Sequence, residues 1–250
     1  MIGVSGRRRS RRIVKTRLKL FIVLGILTSV PALPINVAFA LLGAGIQVLK
    51  SDETGITVEV RVDSFTVTQE MQNGRSLHLI EVPGFATTEE EGLPQLPYTS
   101  CLVAVPFGSA VRFSIVTNET ATRTNIIPTP VPRAFITGGE FPTPEREFTI
   151  NEDFYRGTAS FPPQIVKLGE QAGLRHQRVV PIHFFPFQFS PSNNVLTYSK
   201  RLVVRIDFGT PSQPERVNLQ PAPSFELYSE GLYQGLLLNY DVARSWRMKP

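Results

Sequence analysis

Between Gly92 and Val105 the chain reads Gly-Leu-Pro-Gln-Leu-Pro-Tyr-Thr-Ser-Cys-Leu-Val-Ala-Val, and this stretch constrains the fold more than any other. Pro94 and Pro97 donate no backbone hydrogen bond and hold Leu93 and Leu96 out of the α region. The chain therefore enters its next element extended. From Cys101 to Val105 every position is apolar, the pattern of a strand covered on both faces. Pro106-Phe107-Gly108-Ser109 then turns the chain, and Val111, Phe113 and Ile115 alternate with Arg112 and Ser114. The spacing predicts a half-buried second strand, and with it a central hairpin behind a rigid lead-in.

The same two-residue period recurs on both sides. Ile56, Val58, Val60 and Val62 alternate with polar residues, as do Phe65 and Val67, and Asn73-Gly74 marks a turn before Leu77 and Leu79. Thr120–Ile127 reads as a further strand. The Phe-rich run from Arg178 to Pro191 and the alternation Leu202, Val204, Ile206, Phe208 supply apolar area at strand spacing. Strands about every ten residues, separated by turn signals, predict an all-β fold, an antiparallel β-sandwich. Residues 128–146 stand apart: Pro128, Pro130, Pro132, Pro142 and Pro144 with Gly138-Gly139 predict a long irregular loop carrying Arg133 and Arg146. After Pro221-Ala222-Pro223, residues 225–240 suit a short C-terminal helix or linker. Three regions follow: 1–40, a sandwich over 41–222, and a linker over 223–250.

The formal charge of +5 is unevenly placed. Residues 1–40 hold eight basic side chains, from Arg7 to Lys19, and no acidic one, leaving 18 basic against 21 acidic residues in the body. That body presents no electrostatic case for nucleic-acid binding. The basic stretch, the apolar run Leu20–Leu27 and the small-x-small end Ala38-Phe39-Ala40 have the layout of an export signal helix cut after Ala40. The alternative is an uncleaved N-terminal anchor, because Leu20 to Ile46 holds no charge. The chain is expected to be exported, to the periplasm, the cell surface or the outside of the cell, touching membrane only through this segment.

Chemistry is sparse. The histidines are His78, His176 and His183, in no metal-binding pattern, and Cys101 lies among apolar neighbours, as a buried core residue does. Glu89-Glu90-Glu91 reads as a solvated acidic loop, and Asn118-Glu119-Thr120 fits the glycosylation triplet. No cofactor, metal or catalytic residue is expected within residues 1–250.

Three blocks carry a resemblance. Gly92-Leu93-Pro94-Gln95-Leu96-Pro97 is similar to the Gly-x-Pro-x-Leu-Pro lead found in propeptides of gingipain-type cysteine peptidases, the C25 family. Pro186-Phe187-Gln188-Phe189-Ser190-Pro191 and Leu196-Thr197-Tyr198, with the strand Leu202–Phe208, resemble that family's Pro-x-Gln-Tyr-Asn-Pro block and the strand after it. Leu237-Leu238-Asn239-Tyr240 and Ala243-Arg244-Ser245-Trp246-Arg247 look like the junction before the peptidase domain. The resemblance implies a secreted zymogen's β-sandwich prodomain, which helps a cysteine endopeptidase fold and keeps it inactive. The partner it implies is a C25-type peptidase domain, in cis or in trans. The catalytic domain would begin after Trp246, so the sequence reads as truncated before it. On this basis Arg133 and Arg146 are the inhibitory-loop candidates, and Arg244 and Arg247, in an exposed linker, are the activation-cleavage candidates. The rival reading is a secreted β-sandwich binding or adhesion module, which solvent-facing Tyr98, Phe184 or Phe187 would favour.

Overall fold

A computed structural model describes residues 43–138, 144–209 and 226–247; the expected signal segment, its Ala40 boundary and the boundary at 222 lie outside them. In chain order the strands are β1 Ile46–Asp52, β2 Gly55–Arg61, β3 Thr66–Gln72, β4 Arg75–Glu81, β5 Ala86–Thr87, β6 Pro97–Val105 and β7 Val111–Thr124. β8 Arg133–Ile136 and β9 Pro144–Glu147 precede the one-turn helix α1 Glu152–Tyr155. β10 Val166–Leu168, β11 Ala172–Leu174, β12 Gln177–Phe184, β13 Phe187–Ser190 and β14 Val195–Phe208 complete the strands. Helices α2 Glu226–Leu236 and α3 Tyr240–Ala243 follow.

β14 organises the first sheet. One of its edges pairs with β7 along its length, from Val195 opposite Thr124 to Phe208 opposite Val111. Its other edge is shared end to end by β13 and β2, and β1 lies beyond β2. In the second sheet β6 pairs with β5 and β12, and β10 and β11 share the far edge of β12. The inward residues of the two sheets close on one core. Ile56, Val58 and Val60 of β2 and Leu202, Val204 and Ile206 of β14 pack with Cys101, Val103 and Val105 of β6 and Val180, Ile182 and Phe184 of β12. This is the antiparallel sandwich expected from the two-residue period. The unbroken apolar run of β6 is explained by its second face, where Leu102 and Ala104 pack with Tyr233 and Leu237.

The expected hairpin between β6 and β7 does not exist. Both edges of β6 are engaged elsewhere, by β12 along its length and by β5 at its start, whereas β14 offers β7 an entire edge. The turn at Gly108, with φ of +69°, therefore carries the chain from one sheet to the other. β7 is also less buried than its pattern suggests. Phe113 and Ile115 sit opposite Ile206 and Val204 and share their inward face, yet they are 38% and 45% exposed because the second sheet leaves this flank uncovered. Residues 120–124 continue β7, which ends at Asn125 with φ of +58°. At Asn73-Gly74 both residues have positive φ, as a tight hairpin turn between β3 and β4 requires.

The Pro-rich segment is more regular than expected. Prolines at 128, 130 and 132 alternate with Thr129 and Val131, whose N–H groups donate to His78 O at 2.9 Å and Leu93 O at 2.8 Å. Alternation places every missing donor on the side away from these partners, so prolines are tolerated in an extended edge. The segment zips onto the lead-in of β6, where Gln95 N–H donates to Thr129 O at 2.8 Å and Gly92 N–H to Val131 O at 2.9 Å.

Glu59, on the outward side of β2, is only 3% exposed and accepts hydrogen bonds from Arg61 at 2.9 Å and from Arg201. Those two guanidinium groups hold its carboxyl below the usual glutamate range, against the opposing effect of burial. A carboxyl depressed in the folded state stabilises it at neutral pH and loses that contribution as pH falls through the folded value. Glu59→Gln should therefore be less stable than wild type at pH 7. Urea unfolding should show the margin narrowing below about pH 4; a margin independent of pH would contradict the assignment.

Candidate functional site

Two features protrude from the sandwich or cap it, and both contain residues singled out in the sequence. The first is a ribbon. β8 and β9 form their own two-stranded sheet, with Arg133 opposite Glu147, Ala134 opposite Arg146, Phe135 opposite Glu145 and Ile136 opposite Pro144. All four residues of β8 are exposed. Pro144 is the first residue of its strand, a place where a missing donor is tolerated. The register puts Arg133 and Arg146 on opposite faces of the ribbon, both near its base. Towards the tip stand Phe135 and Ile136, 40% and 74% exposed. Residues 139–143 lie outside the described chain.

The base of the ribbon rests on the acidic loop. Arg133 Nε donates to Glu91 at 3.3 Å, and Arg146 lines a cleft of about 380 Å³ with Glu89, Glu91 and Gln95. The loop is fixed by Thr88, whose buried hydroxyl donates to Pro94 O at 2.7 Å and accepts the N–H of Leu96 at 2.9 Å. Through these bonds the Pro-rich lead-in to β6 also anchors the loop that pairs with the ribbon. Among the described residues, no group of His, Cys, Asp and Glu could hold a metal ion.

A thiol and an imidazole lie close in the second sheet but do not form a pair. Ile182 stands opposite Cys101 and His183 opposite Ser100, so the two side chains point to opposite faces. Cys101 is buried, which pushes its thiol up to about 12, far from a reactive thiolate. His183, on the outer face, has its basicity lowered by burial and then by Lys167. His78 is structural: its Nδ1 accepts the N–H of Ile127 at 3.2 Å. Of the aromatics that would favour an adhesive face, Phe184 and Phe187 are fully buried. Tyr98 is half-buried and stacks on Phe185 at 5.4 Å.

The second feature is the C-terminal cap. Of the short helix or linker expected here, residues 226–247 form helices, as α2 and α3 show, and the stretch with Arg244 and Arg247, expected to be exposed, is docked on the outer face of the second sheet. Tyr233, Leu237 and Ala243 are buried against Ala104 and Val179, and Trp246 meets Phe208 edge to face at 5.5 Å. The attachment also takes up the edge of β6 beyond its short pairing with β5. Leu238 N–H donates to Leu102 O at 3.0 Å. The Asn239 amide pairs with Ala104, accepting its N–H at 2.8 Å and donating to its carbonyl at 2.9 Å.

The two candidate cleavage residues differ here. The Arg244 side chain is 63% exposed and lies 3.6 Å from Glu230. That of Arg247 is 15% exposed, donates to Glu230, and lies over the rings of Tyr233 at 4.4 Å and Tyr240 at 5.5 Å. The Glu230 carboxyl is held below its usual range, chiefly by the Tyr240 hydroxyl and also by Arg247. Sequence reasoning did not single out Glu230, Tyr233 and Tyr240. Glu230 and Tyr233, three apart on α2, carry the helical signal that could have grouped them, whereas Tyr240 lies on α3, past the break at residues 237–239.

No curated protein matches the chain. The family model Propeptide_C25 matches residues 43–220. Among solved structures, the chain is similar to a complex of the pro- and mature domains of Porphyromonas gingivalis RgpB. The TM-score is 0.65 at 21% identity, covering 79% of this chain and 98% of that one. It is also similar to a structure concerned with the zymogenic latency of gingipain K from the same organism. There the TM-score is 0.55 at 15% identity, covering 65% of this chain and 91% of that one.

Proposed function

The chain belongs to the C25 propeptide family, and from that membership we propose that it is the pro-segment that assists folding of a gingipain-type cysteine endopeptidase and holds it inactive. The observation that carries this reading is the family match over 43–220, which takes in both sheets and the ribbon. The RgpB relative is a complex of pro- and mature domains, and the partner proposed here is likewise a C25-type peptidase domain, supplied in cis or in trans. Export through residues 1–40, with cleavage after Ala40, belongs to the same reading and rests on the layout of that segment.

In this reading the β8–β9 ribbon occludes the active-site cleft. Its cross-strand bonds and prolines reduce the entropy lost on docking. Arg133 or Arg146 supplies the cation for an acidic specificity pocket. The pair between Arg133 and Glu91 is exposed, 58% and 49% for the two side chains, so exchanging Glu91 for a peptidase carboxylate costs little.

The test is titration of the purified chain against an arginine-specific C25 peptidase with a chromogenic substrate. Saturable inhibition is expected, and none at micromolar concentration would overturn the reading. The double variant Arg133→Ala/Arg146→Ala should inhibit about tenfold more weakly or worse, a loss of about 1.4 kcal/mol. An unchanged inhibition constant would remove both arginines from the contact.

A further inference from the structure

We propose that Arg247 is a caged processing site and Arg244 an open one, so that cleavage after Arg247 waits until α2 leaves the second sheet. Its biological meaning rests on the pro-segment reading; the difference in reactivity between the two arginines does not.

An arginine-specific peptidase must draw the guanidinium into its own pocket and take the flanking backbone in extended form. The backbone does not favour Arg244, which opens the 3-10 turn Arg244–Trp246 while Arg247 is already extended. The difference lies in the side chains: that of Arg244 is 63% exposed, with one loose ionic contact and the Tyr240 ring at 5.8 Å. Arg247 is already bound within the chain. Glu230 accepts its hydrogen bond, the ring of Tyr233 covers its guanidinium at 4.4 Å and Tyr240 closes a second side at 5.5 Å. Its Nε and Nη2 find no hydrogen-bond acceptor among the described residues, so aromatic faces stand where acceptors would be. A cation held between a carboxylate and ring faces out of water is bound more tightly than one on the surface.

The walls of the cage are themselves fixed. Tyr233 is 2% exposed and its hydroxyl lies 3.3 Å from Leu174 O. Asn239, one residue before Tyr240, is tied to both backbone groups of Ala104. Arg247 is therefore freed only with the helix that holds it. Local opening, and not the intrinsic reactivity of the bond, sets its rate of cleavage.

The experiment is limited trypsin digestion of the full chain, followed by intact mass. Wild type should be cut after Arg244 first. Arg244→Gln isolates the Arg247–Met248 bond and should be cut there about tenfold more slowly than wild type is after Arg244, or slower still. Adding Glu230→Gln, or in a separate variant Tyr233→Leu, should accelerate that cut about tenfold while cleavage after Arg75, on the distant β3–β4 hairpin, stays constant. A constant rate at Arg75 also shows that the variants are folded. Equal cleavage of Arg247 with the cage intact and opened would overturn the proposal. So would cleavage of Arg247 in Arg244→Gln as fast as that of Arg244 in wild type. Inhibition of the peptidase is read separately, so a chain with a working cage and no inhibition would overturn the pro-segment reading alone.

Discussion

Phe187→Ala should lower the free energy of unfolding by about 3–5 kcal/mol. The ring is fully buried on β13. It meets Phe65 edge to face at 5.1 Å and stacks on Tyr198 at 5.9 Å. Together these contacts join β13, β14 and the segment leading into β3. Truncation removes the transfer free energy of the ring and leaves a cavity that collapses little, because β-ladders on both sides of β14 hold Tyr198 in place. Phe113→Ala, on the uncovered flank of β7, should cost less than about 1 kcal/mol. Urea unfolding of the two variants beside wild type checks both values. A loss below about 1 kcal/mol for Phe187→Ala would show that the surrounding aromatic side chains repack.

Removal of the ribbon should weaken inhibition about 100-fold, a change of about 2.8 kcal/mol, with little effect on stability. Residues 134–146 would be replaced by Asn-Gly, a short turn able to join Arg133 to Glu147. β8 and β9 pair with each other and with neither main sheet, so their loss leaves the sandwich intact. The exposed apolar side chains Phe135 and Ile136 are of the kind that anchors an interface, and both are removed here but kept in the double arginine variant. If the excised chain inhibits as well as wild type, the inhibitory contact belongs to another surface. If the excision combined with Arg133→Ala loses no more than the double arginine variant, the two cations account for the ribbon's whole effect.

Local signals in this sequence were reliable and partner choice was not. Asn73-Gly74 specified its hairpin, since both positions need positive φ, and the alternation in β2 and β14 specified the buried face of each. The hairpin expected at Pro106–Ser109 failed because a turn signal says that the chain reverses and does not say which sheet receives it. The Pro-rich segment was read as irregular because proline removes a donor. Its spacing of two, which leaves every second donor available, is what permits pairing with the lead-in of β6. At the site, Arg133 and Arg146 were legible as exposed residues, but the register that separates them onto opposite faces was not. Arg247 was read as a surface residue by its charge. Its burial follows from Tyr233 of α2 and Tyr240 of α3 meeting around it, a grouping that exists only once the cap has docked.

The place of β14 has a consequence for the newborn chain. Its partners β2 and β7 begin at Gly55 and Val111, while β14 itself ends at Phe208. The first sheet cannot assemble until nearly the whole domain has been synthesised. Loop closure over such sequence distances makes assembly slow. Until then β2 has only β1 beside it and β7 has no strand on its edge, so the core residues of both stay exposed. A nick or stop before Val195 would remove the strand that both partners await, and early fragments should be cleared by proteases and not accumulate as partial folds.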